Sequence, residues 1–227
     1  MFEEQPHSVQ NRVKSLASEA QAQNQPYAWF EPLYAQANGN ADQVPWAKAT
    51  AHPYLQAWLP EQPQPPAQSK ALVIGCGLGN DAEALQDYGY QVTAFDVSPT
   101  AIAWCHQRFP NSAVDYQVAD LFHLDPDWNQ AFDLVYECRN IQALPIPLRP
   151  QVVGAIAPLV AKTGQLLVVT RIRANEQACE GPPWPLSPLE LAEFENYGLV
   201  EIERATFVEG ETITVQQARI LYQYPQG

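Results

Sequence analysis

The feature that most constrains this chain is a short apolar run, residues 71–74, that breaks into Gly75-Cys76-Gly77-Leu78-Gly79 and turns at once into a helical pattern over 80–88, closed by Gly89. A strand that passes through glycines straight into a helix brings backbone close to backbone or ligand, which side chains would prevent. A second apolar run, 90–95, ends in Asp96, 21 residues beyond Gly75. Ser98-Pro99 then reads as a cap and a first-turn proline, opening a helix through Arg108. Further strands are expected at 114–119, ending at Asp120, at 132–136, ending at Glu137, and at 164–170, with a helix over 148–161 before the last. Strand and helix in alternation imply parallel βαβ units in a doubly wound α/β sheet. Two β-rich runs, 199–208 and 214–224, break the alternation; joined by the short turn EGET, they read as an antiparallel hairpin.

The N-terminal quarter follows a different rule. Val9, Val13, Leu16, Ala17 and Ala20 have helical spacing over 8–22 behind a Ser8 cap. Tyr27, Trp29, Phe30, Tyr34, Trp46, Tyr54 and Trp58 then crowd one stretch, and PEQPQPPAQS follows at 60–69. Proline removes donors and disfavours helix in the residue before it, so this is an extended connector. The expected organisation is a helical, aromatic-rich lid (1–60), a connector (61–69) and a sheet domain (70–227).

Composition narrows the function. Twelve Lys+Arg against 25 Asp+Glu leave a net charge of −13, with no basic stretch. A polyanion needs a basic face, so neither nucleic acid nor an anionic membrane surface is an expected partner. No apolar run approaches a membrane span, and MFEEQPHSVQ lacks the character of a secretory signal. Cys76, Cys105, Cys138 and Cys179 lie about 30 to 40 residues apart without CxxC, and the four histidines show no ligand spacing. No metal site is expected, and scattered thiols suit a reducing cytoplasm.

In an open parallel sheet, ligands sit beyond the carboxyl ends of the strands. The glycine turn, Asp96, Asp120 and Glu137 gather there. An acid at the second strand end suits a grip on two ribose hydroxyls and repels a 2′-phosphate, so NADP is disfavoured. Each residue has a structural alternative: Asp96 as a helix-capping or turn residue, Asp120 as a solvated strand end, Glu137 as a surface acid or an ion-pair partner of Arg139 or Arg149, and Cys76 as a small filler.

The run ALVIGCGLGNDAEALQDYGYQVTAFDVSPTAI (71–102) resembles motif I and the following strand of class I S-adenosylmethionine-dependent methyltransferases. The closing hairpin agrees, and Asn80 departs from the third glycine of an NAD-binding turn. Within that class ALVIGCGLGND is similar to the thiopurine/thiol/halide methyltransferase-like group. VPWAKATAHPYL (44–55) resembles that group's tryptophan-bearing cofactor-covering segment, and FDLVYECRNIQALP (132–145) its fourth-strand motif. The resemblance implies a Rossmann-like, mostly parallel seven-stranded sheet with S-adenosylmethionine as cofactor. It places Trp29, Trp46, Gly75, Cys76, Gly77, Gly79, Asp96, Val97, Asp120, Leu121 and Glu137 at the cofactor, with Glu137 and Tyr34 as catalytic candidates.

What the resemblance implies is methyl transfer to a small-molecule acceptor, including a soft nucleophile such as a thiol, thiopurine or halide. The sulfonium is a cation that aromatic faces stabilise, and transfer to a soft nucleophile needs alignment more than a strong base. The rivals are an O- or N-methyltransferase with Glu137 or a tyrosine assisting deprotonation, an NAD-linked oxidoreductase, and a non-catalytic cofactor-binding module. Trp184, Arg171 and Arg173 are open between the acceptor pocket and structural roles.

Overall fold

The computed structural model describes residues 7–177, 179–210 and 214–225, and for His7 and Ser8 the backbone alone. Half of the EGET turn therefore falls outside what is described, while Ser8, expected as the cap ahead of the first helix, already lies within that helix's described backbone. The elements run α1 (His7–Ala22), α2 (Phe30–Ala37), α3 (Pro53–Trp58), β1 (Lys70–Ile74), α4 (Asn80–Tyr88), β2 (Gln91–Asp96) and α5 (Pro99–Arg108). They continue β3 (Asp115–Val118), β4 (Phe132–Cys138), α6 (Arg149–Ile156), β5 (Val160–Arg171), α7 (Pro188–Ala192), β6 (Val200–Glu209) and β7 (Val215–Gln223).

One sheet holds all seven strands in the order β3-β2-β1-β4-β5-β7-β6. The first five are mutually parallel, while β7 runs antiparallel to both β5 and β6. Strand order reverses at β1, between β2 and β4, so the crevice that binds ligands in such folds opens over the β1 and β4 ends. Successive side chains feed opposite cores. Leu72, Ile74, Val135, Val168 and Ile220 pack under α6 and α7, whereas Val73, Ala94, Leu134, Tyr136, Leu167, Val169 and Leu221 pack under α3, α4 and α5.

Most boundaries match the sequence pattern for visible reasons. Gly89 ends α4 in the left-handed region at φ +118°, and Ser98 caps α5 by accepting from Ala101 N with Pro99 in the first turn. Ser187 caps α7 in a reciprocal box with Glu190. The helix expected to reach residue 161 stops at Ile156, in a tight turn over Ala157–Leu159. Pro158 cannot donate to a continuing helix, and β5 begins at Val160, four residues before the expected start. Val160 pairs with Phe132, and the register then slips before Gln165 meets Leu134. Gly164 sits in that slip, where a Cβ would lie 2.6 Å from the Phe132 carbonyl oxygen. A glycine that looks like a strand boundary is instead the residue that lets the strand bulge.

Candidate functional site

The glycine turn leaves β1 with Gly75, Gly77 and Gly79 at φ +55°, +54° and +84°, a backbone that side chains rarely adopt. Each glycine faces something different. A Cβ on Gly75 would strike the Asn140 side chain, and one on Gly79 would strike the Tyr116 hydroxyl. A Cβ on Gly77 would meet the Tyr34 hydroxyl at 3.1 Å and the Trp46 ring at 3.8 Å. The aromatic segment thus lies directly on the turn.

Asp96 ends β2 and is buried. Its Oδ2 accepts from Gly77 N at 3.0 Å and its Oδ1 from Ser98 N at 2.9 Å. Burial pushes its carboxyl up to about 6, partly offset by those two N–H donors, while Glu31 adds a repulsive charge. Glu137 is fully buried near the end of β4. Its Oε1 accepts from Asn140 N at 2.5 Å and Ile141 N at 2.9 Å, and its Oε2 has no partner among the described residues. Burial pushes this carboxyl up to about 7, against the pull of those backbone donors and of the Arg149 charge. Neither Arg139 nor Arg149 forms an ion pair with it among the described residues; Arg149 instead binds the carbonyls of Ile141 and Trp184 and lies 3.8 Å from Glu190.

Asp120 follows β3 and caps the next turn by accepting from Phe122 N at 3.0 Å, while Oδ2 contacts His123 at 2.8 Å and the Tyr27 hydroxyl at 3.4 Å. Val97 and Leu121, the residues after the two acids, are half-buried beside them. Cys76 packs with the α4 side of the core, and its thiol is raised by a hydrogen bond to Cys105, then by burial. The thiol is thus held protonated within the turn.

The aromatic segment forms one cluster. The Trp46 indole N–H donates to the Tyr34 hydroxyl at 2.7 Å, the Trp29 ring stacks on Phe30 at 4.1 Å, and Trp46 meets Trp29 edge-on at 5.8 Å. Trp29, Leu33 and Tyr34 are buried, and burial followed by the Asp96 charge drives the Tyr34 hydroxyl well above its ordinary value. Tyr34 is therefore neutral and a poor base as placed.

Three further residues hold this arrangement. Glu31, in α2, accepts from the Ser98 hydroxyl at 2.5 Å, the Thr100 hydroxyl at 2.6 Å and Thr100 N at 3.2 Å, latching the aromatic segment onto the start of α5. Asn140 donates to the Ile74 carbonyl at 2.7 Å, tying the end of β4 to the turn after β1. His52 caps α3 through Nδ1, accepting from Tyr54 N, and its backbone N–H donates to Asp81 at 2.6 Å. Of the open acceptor candidates, Arg173 is structural: it binds Glu190 at 2.7 Å and the Pro185 carbonyl. Trp184 stands over Gly181 and donates its backbone N–H to the Gln142 carbonyl at 2.7 Å.

The residues gathered here fit a group rich in hydroxyls and positive charge. Two buried carboxylates flank the glycine turn; among the described residues neither stands in an ion pair, and one oxygen of Glu137 lacks a donor. No grouping of His, Cys, Asp and Glu that would hold a metal occurs among the described residues, and no described helix is long and apolar enough to cross a membrane.

Comparison with known proteins bears on the same region. The family model for thiopurine S-methyltransferase matches residues 36–219. A thiopurine S-methyltransferase of Legionella pneumophila (strain Paris) is 27% identical over 143 residues, covering 56% of this chain and 64% of that protein. A ubiquinone biosynthesis O-methyltransferase of Pseudomonas aeruginosa (strain LESB58) is 33% identical over 114 residues, 49% of this chain and 48% of that one. The chain thus spans less than two thirds of these relatives. Among solved structures, one reported with the conversion of a disulfide bond into a thioacetal group during echinomycin biosynthesis superposes with a TM-score of 0.66. It is 19% identical, covers 86% of this chain and 92% of that one, and shows the same fold.

Proposed function

The chain belongs to the thiopurine S-methyltransferase family, and from that membership we propose that it is an S-adenosylmethionine-dependent methyltransferase acting on a small-molecule acceptor. The observation that carries the reading is Gly77: its backbone N–H donates to the buried Asp96, and the face a side chain would take lies against Tyr34 and Trp46. When bound, the cofactor supplies a methyl group activated by a sulfonium. Asp96 and the glycine turn would hold its ribose and amino-acid ends, with Cys76 and Val97 lining the approach and Asp120 and Leu121 bordering the base. Trp29 and Trp46 would cover the sulfonium and keep water from the transfer.

Tyr34 now occupies space beside Gly77, so it must swing aside for a ligand to lie on the turn, as a lid formed by the segment before α3 would allow. Alignment of donor and acceptor under that lid supplies most of the rate for a soft nucleophile such as a thiol, thiopurine or halide. Oxygen or nitrogen acceptors are the second reading, favoured by one observation: the unpartnered Glu137 oxygen, on a carboxyl raised to about 7, suits a general base. Four unpaired cysteines support a reducing cytoplasm as its compartment.

Calorimetry with S-adenosylhomocysteine tests the cofactor reading. The wild-type chain is expected to bind and Gly77→Val to lose binding at least tenfold, because the branched side chain takes the space against the turn. A folded variant that still binds tightly would reduce the turn to a structural feature. Turnover of a thiol against a phenol acceptor across pH 5–9 separates the two acceptor classes.

A further inference from the structure

Four buried polar atoms without hydrogen-bond partners among the described residues gather beside the site, where β4, β5 and β7 meet. They are Nε of Arg139, Nε of Arg171, Nε2 of Gln217 and Nε2 of His52. All four are donors, since the His52 Nδ1 accepts from Tyr54 N and so leaves the proton of a neutral ring on Nε2. Buried donors without acceptors are rare in folded proteins and costly when they occur.

The geometry draws the two guanidiniums together. Arg139 follows β4, donates its backbone N–H to the Val169 carbonyl at 2.8 Å, and adopts φ +65°. Arg171 ends β5 and stands opposite Gln217 in the antiparallel register with β7. Gln217 is fully buried, and its Oε1 accepts from Nη2 of Arg139. Its amide nitrogen has no partner among the described residues. His52 closes the cluster through Tyr54, whose ring stacks at 3.8 Å on Phe207, the residue opposite Gln217 in β6.

Ion pairing is loose there, although the chain as a whole carries excess acid. Arg173, Arg204 and Arg219 each have a carboxylate within 3 Å. Arg171 has none within ion-pair distance among the described residues, and Arg139 has only Glu209 at 3.8 Å. That carboxylate is already held by the Tyr54 hydroxyl. Asp81, the other acid that acts on this cluster, accepts from His52 N. Burial, then the neighbouring Arg139 charge, pulls the Arg171 guanidinium below its ordinary value, and the more distant Glu209 charge offsets this only in part. The position is apt as well: Arg139 immediately precedes Asn140, whose side chain lies on Gly75 of the glycine turn.

We propose that Arg139 and Arg171, with the Gln217 amide between them, bind an anionic group of the methyl acceptor, a carboxylate, beside the transfer site. Paired guanidinium forks suit the two oxygens of a carboxylate, and an anion there would fill donors that the fold leaves open. The inference rests on the methyltransferase reading and narrows its acceptor to an anionic small molecule.

A matched pair of thiols tests it, 3-mercaptopropionate against its neutral amide 3-mercaptopropionamide, titrated into the full-length protein with S-adenosylhomocysteine present. The wild type is expected to bind the carboxylate at least tenfold more tightly than the amide. Arg171→Gln should erase that preference, Arg171→Lys should keep part of it, and the affinity for S-adenosylhomocysteine should change by less than about twofold. Equal affinities in the wild type, or a preference that survives Arg171→Gln, overturn the proposal. So does a parallel loss of S-adenosylhomocysteine affinity, which would assign the pair to the cofactor's own carboxylate. Methyl transfer to the two thiols is read separately. If neither is methylated while the preference and its loss are seen, the anion site stands and the thiol acceptor class falls.

Discussion

At the residue scale the site is built from charges the fold would rather not bury. Glu137 sits at about 7 in the folded chain against an ordinary 4.5, because burial outweighs the two backbone donors on its Oε1. The folded state therefore holds this proton more tightly than the unfolded chain. The stability owed to this group is greatest below pH 4.5, falls as pH climbs, and is fully lost above 7. The displacement corresponds to a penalty on the order of 3 kcal/mol at alkaline pH. Glu137→Gln keeps an Oε1 for Asn140 N and Ile141 N and removes the charge from the unpartnered side. We expect the variant to be about 1–3 kcal/mol more stable than wild type at pH 8 and nearly equal at pH 4.5, while binding S-adenosylhomocysteine more weakly. Urea melts at the two pH values check this; an equal or lower stability at pH 8 would show that the carboxylate is better solvated than its burial implies. Asp96, raised to about 6, leaves the variant a residual fall between about pH 4 and 6.

At the element scale, the latch between α2 and α5 decides whether the aromatic segment rests on the turn. Burial works to raise the Glu31 carboxyl, but hydrogen bonds from Ser98 and Thr100 outweigh it and leave it lowered. A lowered acid holds its element down above its ordinary pKa and releases it as pH falls through the folded value. Glu31→Ala removes three hydrogen bonds to a charged acceptor, each worth roughly 1.5–3 kcal/mol at most. Hydrogen exchange should then speed up across residues 27–46 and leave β1, β4 and β5 unchanged; uniform acceleration would mean the latch supports the whole fold. No pattern reading could have found it, because Glu31 and Ser98 are 67 positions apart. What was legible was local: the glycines after β1, the Ser98-Pro99 cap, and apolar runs ending in acids, each of which fixes a backbone conformation within a few residues. The start of β5 was not legible, since an apolar run interrupted by Pro158 and Gly164 fits a helix as well as a bulged strand. The Arg139–Gln217 contact likewise depends on how β7 is laid against β5.

At the scale of the whole molecule, the N-terminal region divides between two roles. Tyr54, Leu55 and Trp58 of α3 lie in the same apolar cluster as Val73, Ala94 and Leu134 of the sheet. By contrast, Trp29, Leu33 and Tyr34 belong to smaller clusters that involve α1 and the start of α5. The Pro-rich stretch is thus a natural boundary in sequence, yet α3 before it is part of the sheet's own core. Two truncations should behave differently. Removing residues 1–60 takes Leu55 and Trp58, both almost fully buried, at about 1.5–3 kcal/mol for each apolar side chain, from a fold whose total stability is of order 5–15 kcal/mol. Removing residues 1–50 keeps α3, its His52 cap and the bond from His52 N to Asp81. We therefore expect the longer deletion to melt well below the shorter one or to aggregate. The shorter one should retain a cooperative melt but lose measurable binding of S-adenosylhomocysteine, because the cover over Gly77 has gone. Equal melting temperatures would remove α3 from the core, and full cofactor affinity without residues 1–50 would leave the aromatic segment as packing alone.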